Sequence, residues 1–137
     1  MLVETFFVTR GRCPQTVVSM AAQRMLFARR YRAALLDYLL GSDEAGLVRA
    51  YDLGRAAMRE GLGLLEIVRV HHGTTRTIVG SARDVDAVLK TLDTAGEFLM
   101  EAVSPFEMAY RGYVASLEGV QVAEHADAPR RRDRNKL

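Results

Sequence analysis

The sequence predicts an all-α protein: a small antiparallel four-helix bundle with a long, proline-interrupted last helix, expected to be dimeric. Three observations lead there. Apolar residues recur at three- and four-residue spacing in four successive blocks. Short breaks rich in Gly, Ser and Asp separate the blocks, the connection length typical of helix bundles. After the first fifteen or so positions no stretch alternates apolar and polar residues as a strand would. The 137 residues, 49% hydrophobic, suffice for one domain with a real core and are too few for two comfortable ones. The expected organisation is a weakly ordered arm over 1–18, a helical domain over 19–119 and a disordered basic tail over 120–137.

The arm differs in character from the rest of the chain. Leu2-Val3-Glu4-Thr5-Phe6-Phe7-Val8 has strand-like composition, but Gly11-Arg12-Cys13-Pro14 breaks it with no second strand nearby. It reads as weakly ordered or as a short docking segment, or else translation starts at Met20 or Met25. The first helix is expected from about Thr16 to Leu40, with Phe27 or Ala28, Tyr31, Leu35, Tyr38 and Leu39 on its apolar side. Gly41 ends it. Ser42, followed by Asp43 and Glu44, is the expected N-cap of the second helix, with acid in the first turn where the helix dipole favours it. That helix runs to about Glu60 on a buried line of Leu47, Tyr51, Gly54 and Met58. A glycine inside a helix costs roughly 1 kcal/mol against alanine, so Gly54 points to a close helix crossing.

After Gly61 and Gly63, Leu64 to about Val79 forms the third helix, with Leu64, Val68, His71, Thr75 and Ile78 facing inward. Ser81 to Asp84 supply capping residues for the fourth, whose stripe is Val85, Val88, Leu89, Leu92, Ala95, Leu99 and Val103. Pro105 then requires a kink or a restart. Beyond it Phe106, Ala109, Tyr110 and Tyr113 share one face, and Glu107 and Arg111 are spaced to pair. Continued to about Leu117, this helix would measure roughly 50 Å, longer than a small bundle covers. Val103, Phe106, Tyr110 and Tyr113 are therefore the expected homodimer interface, formed by the fourth helix together with the first. The alternative is that the helix folds back at Pro105 and the stripe is core.

Charge and chemistry narrow the function. The formal charge of +2 hides the terminal run Arg130 to Lys136; without it 14 basic residues face 16 acidic ones, unlike a nucleic-acid-binding body. One cysteine, Cys13, excludes a disulfide framework within the chain and a cysteine-rich metal site. No window reaches the apolar length of a membrane span, and the N-terminus lacks the basic region of a signal peptide, so the expected location is the cytoplasm. His71 and His72 are adjacent, but helical neighbours point about 100° apart and cannot readily share a ligand sphere. His71 reads as a polar helix contact and His72 as exposed. Ser104, Ser116 and Cys13 lack a nucleophile elbow or a nearby base, and Gly61-Leu62-Gly63 lacks the strand a phosphate loop needs. No catalytic, metal or cofactor residue is expected. Tyr51, Arg55, Arg69 and His72, on the second and third helices, combine aromatic and arginine side chains and are the expected partner-binding residues.

Four runs also look familiar together: Tyr31-Arg32-Ala33-Ala34-Leu35-Leu36-Asp37-Tyr38-Leu39; Glu44 to Leu47 leading into Ala50-Tyr51-Asp52-Leu53-Gly54-Arg55; Leu64-Leu65-Glu66 with His71-His72; and Pro105-Phe106-Glu107-Met108-Ala109-Tyr110-Arg111-Gly112. They resemble the N-terminal domain of RsbU-type phosphoserine phosphatases over roughly Met25 to Leu117. The resemblance implies a dimeric, all-helical regulatory domain. Such a domain binds a switch protein kinase in a partner-switching stress or sigma-factor pathway and passes activation to a following phosphatase or histidine kinase domain. After Gly119 this chain shows neither the family's coiled-coil linker nor its phosphatase, so it reads as a stand-alone relative or as part of a longer protein. Two other readings stand beside it: a purely structural dimerisation module, and a metal-dependent helical enzyme using His71 or His72.

Overall fold

A computed structural model describes the backbone of residues 14–133 and the side chains of residues 19–123. Most of the expected arm and the last residues of the expected tail lie outside the described residues. Within that range four helices make up the fold: α1 (Pro14–Gly41), α2 (Glu44–Arg59), α3 (Leu64–Val79) and α4 (Val85–Asp133). Each of α2 and α3 packs against both α1 and α4, while α2 and α3 scarcely touch one another. No described helix is long and apolar enough to cross a membrane.

The core is an aromatic cluster wrapped by small residues. Phe27, Tyr31, Leu35 and Tyr38 face inward from α1, where their spacing of four, four and three keeps them on one stripe. Phe98 of α4 fits between two of them, edge-on to Tyr31 at 5.3 Å and tilted against Tyr38 at 5.7 Å between ring centroids. Ile67 and Val70 close the α3 side, and Leu62 seals the α2–α3 connection. Where α2 meets α4, Gly54 sits against the Ala102 carbonyl and the Pro105 ring, and Ala50, Ala57 and Ala95 are buried; Gly46 faces the Tyr38 ring of α1. A Cβ added at Gly54 would overlap the carbonyl oxygen of Ala102, so the crossing expected from this glycine is present and fixes the spacing of the two helices.

Three inward faces differ from the expected ones. On α2 the buried line is Gly46, Ala50, Gly54 and Ala57; Leu47 and Tyr51 are half-buried and Met58 is exposed. On α3 Ile67, Val70, His71, Thr74 and Thr75 face inward, Leu64 and Val68 lie outside, and Ile78 is half-buried. On α4 Ala95, Phe98 and Ala102 are buried, Val88, Leu99 and Val103 are partly so, and Val85, Leu89 and Leu92 are exposed. The cause is common to α2 and α4. Helices this close leave room only for small side chains at the contact, so the large apolar residues that dominate a periodicity reading sit at its flanks.

The boundaries follow local chemistry. Asp43, not Ser42, caps α2: its Oδ1 accepts the Gly46 N–H at 2.9 Å. Ser42 instead takes the left-handed conformation, with φ at 47°, in the turn after Gly41. At the other end Gly61, with φ at 73°, lets the Leu62 N–H bond the Ala57 carbonyl and its own N–H bond that of Met58, a Schellman ending that carries Leu62 into the core. Asp84 caps α4 through the Ala87 N–H at 2.7 Å. α4 runs through Pro105 as one helix, without the restart that was one of the two expected outcomes there. Proline removes the N–H that would bond the Glu101 carbonyl, and the Ser104 hydroxyl donates to that oxygen instead at 3.0 Å. The helix does not end near Leu117 as expected but continues to Asp133, 49 residues and about 74 Å in all.

Candidate functional site

Of the two histidines whose side chains are described, His71 is the one drawn into the core, and its partners account for both ring nitrogens. The Tyr31 hydroxyl lies 3.0 Å from Nδ1 and the Thr75 hydroxyl 3.4 Å from Nε2. A neutral imidazole offers one donor and one acceptor, which matches two hydroxyls and leaves no lone pair free for a metal. Burial first, and the neighbouring His72 second, push its pKa below the ordinary histidine value. Burial likewise raises the Tyr31 hydroxyl far above the usual tyrosine range. His72 is exposed and points away from this cluster. Among the described residues no group of three or more His, Cys, Asp or Glu side chains is placed to hold a metal ion. The histidine pair is therefore a packing histidine and a surface one.

Among the described residues the surface offers several places where another molecule can sit. One is a groove of about 480 Å³ between α1 and α2, floored by Ala33, Ala34, Leu53 and Ala56 and rimmed by Arg30, Asp37, Arg49, Asp52 and Arg59. Two ion pairs span its ends, Arg30 with Glu60 at 2.9 Å and Arg49 with Asp37 at 3.2 Å. Sequence reasoning missed this groove. Its residues come from two helices and are mostly alanine and charge, so no motif marks them.

The second lies between α2 and α4, a groove of about 270 Å³ lined by Glu44, Leu47, Val48, Tyr51 and Glu101. Nearby, the Tyr38 hydroxyl donates to Glu97 at 2.9 Å, and burial followed by this carboxylate raises the tyrosine pKa. Tyr51, one of the four expected partner residues, is half-buried here and its hydroxyl lies 3.9 Å from Met108 Sδ, tying α2 to α4. Arg55 is exposed on the same helix. Arg69 and His72 are exposed on α3, Arg69 within 3.8 Å of Glu66. Because α2 and α3 barely meet, the four residues do not line one groove but fall into an α2 pair and an α3 pair.

The third is α4 past the bundle. Val103 and Phe106 are half-buried against the core, whereas Tyr110 and Tyr113 are 66% and 62% exposed. Met108, Leu117, Val120 and Val122 are exposed along the same stretch, and Glu107 and Arg111 form the expected ion pair on its surface. On α1, Met20, Met25 and Leu26 are exposed before the first core residue, Phe27. The model of the family described as phosphoserine phosphatase RsbU, N-terminal domain, matches residues 29–109 of this chain. The chain belongs to that family. The matched RsbU N-terminal segment contains the core from Tyr31 to Phe106 and all four expected partner residues, and it stops one residue before Tyr110. Searches of curated proteins and of solved structures give no match.

Proposed function

We propose that this RsbU N-terminal domain is a non-catalytic regulatory module that acts in the cytoplasm by binding a switch-kinase-like partner in a stress or sigma-factor pathway. The family match over 29–109 carries the reading. What the core does with its chemistry supports it: His71, the group best suited to acid–base or metal work, is spent on Tyr31 and Thr75. The accessible arginines and aromatics are placed for recognition. Binding is assigned to the α2 pair Tyr51 and Arg55 and the α3 pair Arg69 and His72. Titration calorimetry with a switch kinase tests it. Arg55→Glu and Arg69→Glu are each expected to weaken binding by more than about 1 kcal/mol, roughly fivefold in Kd. Unchanged affinity in both variants places the partner elsewhere, and no binding by the native chain overturns the function.

A second reading, a dimerisation module, is favoured by the exposed apolar side chains of α4 and need not exclude the first. Here two copies associate through α4 together with α1, with Val103, Phe106, Tyr110 and Tyr113 at the contact.

A further inference from the structure

The groove between α1 and α2 sorts its charges by end. Arg30 pairs with Glu60 and Arg49 with Asp37, so the two helices run antiparallel along it. On each helix a guanidinium and a carboxylate stand seven positions apart, Arg30 with Asp37 on α1 and Arg59 with Asp52 on α2. Seven residues make two turns, about 10.5 Å, and return to the same side of the helix. Because the helices are antiparallel, both arginines fall at one end of the groove and both carboxylates at the other. Counting their ion-pair partners, Arg30 and Arg59 against Glu60 leave one end formally positive, and Asp37 and Asp52 against Arg49 leave the other formally negative.

We propose that this groove binds a small zwitterion of the ω-amino carboxylate kind, its anionic group held by Arg59 and Arg30 and its cationic group by Asp52 and Asp37, about 10 Å away. Among the described residues neither Arg59 nor Asp52 makes an ion pair. The paired groups keep capacity for a ligand, since Arg30 gives one nitrogen to Glu60 and Asp37 one oxygen to Arg49. Between the ends the alanine and leucine floor offers no polar side-chain atom, so the stretch joining the two charges must be apolar. A ligand with one charge leaves the opposite end uncompensated. The volume of about 480 Å³ lies within the range of small-molecule sites. Ion pairs bridge the helices at both ends, which closes the groove to a partner helix running through it. None of the four expected partner residues lines it, so the site goes beyond the regulatory reading above and does not depend on it.

The probe is ω-aminooctanoate, whose ammonium and carboxylate lie about 10 Å apart when extended. Titrated to about 10 mM into the isotope-labelled full chain, a range suited to so small a ligand, it is expected to shift the backbone amide resonances of Ala33, Leu53 and Ala56 saturably. Octanoate and octylamine each lack one charge, and γ-aminobutyrate is too short to reach both ends; each is expected to bind at least about fivefold more weakly. Arg59 and Asp52 are exposed, so their substitution should leave thermal unfolding unchanged. Arg59→Gln is expected to erase the advantage over octylamine, and Asp52→Asn the advantage over octanoate. Equal binding of octanoate or octylamine by the native chain overturns the proposal, because the groove then takes apolar matter with a single charge. Shifts at these amides that follow protein concentration without ligand, the mark of a second copy in the groove, overturn it too. So does the absence of shifts there at the end of the titration.

Discussion

At Gly54 one hydrogen atom in place of a side chain decides how closely two helices meet. An alanine there would set its methyl against the Ala102 carbonyl, and neither backbone can move without disturbing Pro105 and the small-residue contact around it. Gly54→Ala is expected to destabilise the fold by about 2 kcal/mol despite alanine's better helix propensity, measured as a lower urea midpoint with unchanged slope. His71 makes a different prediction. Unfolded, it titrates near 6.5; folded, burial and His72 hold its pKa lower. Between those values the unfolded chain binds the extra proton, so stability is full above about pH 6.5 and is lost as pH falls through it. Melting temperature should drop from about pH 7.5 to 5, and His71→Gln, which cannot take the proton, should flatten that slope. A slope unchanged by the substitution would assign the acid sensitivity to other groups.

At the scale of the element, helix ends depend on single side chains. Asp43 holds the first turn of α2 through the Gly46 N–H, while Ser42 holds a left-handed turn and caps nothing. Asp43→Ala is expected to cost about 1 kcal/mol in chemical denaturation and Ser42→Ala much less; the reverse order would restore serine as the cap. Two adjacent residues of nearly equal capping propensity cannot be ranked from sequence, because the choice rests on which one takes the left-handed φ after Gly41. Pro105 is the opposite case. The hydroxyl one position earlier replaces the missing donor at Glu101, so a residue that usually interrupts a helix stays within this one.

For the whole molecule the consequence is a bundle with an apolar extension. The helices α2 and α3 each span about 24 Å, α4 about 74 Å. Tyr110 lies outside the core, so Tyr110→Asp should leave the thermal unfolding of the bundle intact while halving the mass found by light scattering at tens of micromolar. A native chain already monomeric at that concentration would remove the α4 interface from this protein. Phe106→Asp is the poorer test, since Phe106 also packs against the core and its loss would confound folding with association.

The sequence by itself determined the class of fold, four helices, and nearly all their ends, because Gly41, Gly61, Asp84 and the apolar spacing act within a few residues along the chain. It also determined the Gly54 crossing and the burial of His71 against exposed His72. The inward faces of α2 and α4 were settled only in three dimensions. Periodicity finds large apolar residues, and where two helices cross on glycine and alanine the large residues are pushed to the flanks. The α1–α2 groove and the separation of Arg55 from Arg69 were also beyond it, since each depends on which helices become neighbours, a choice made by the fit of Phe98 between Tyr31 and Tyr38 and by the small faces of α2 and α4.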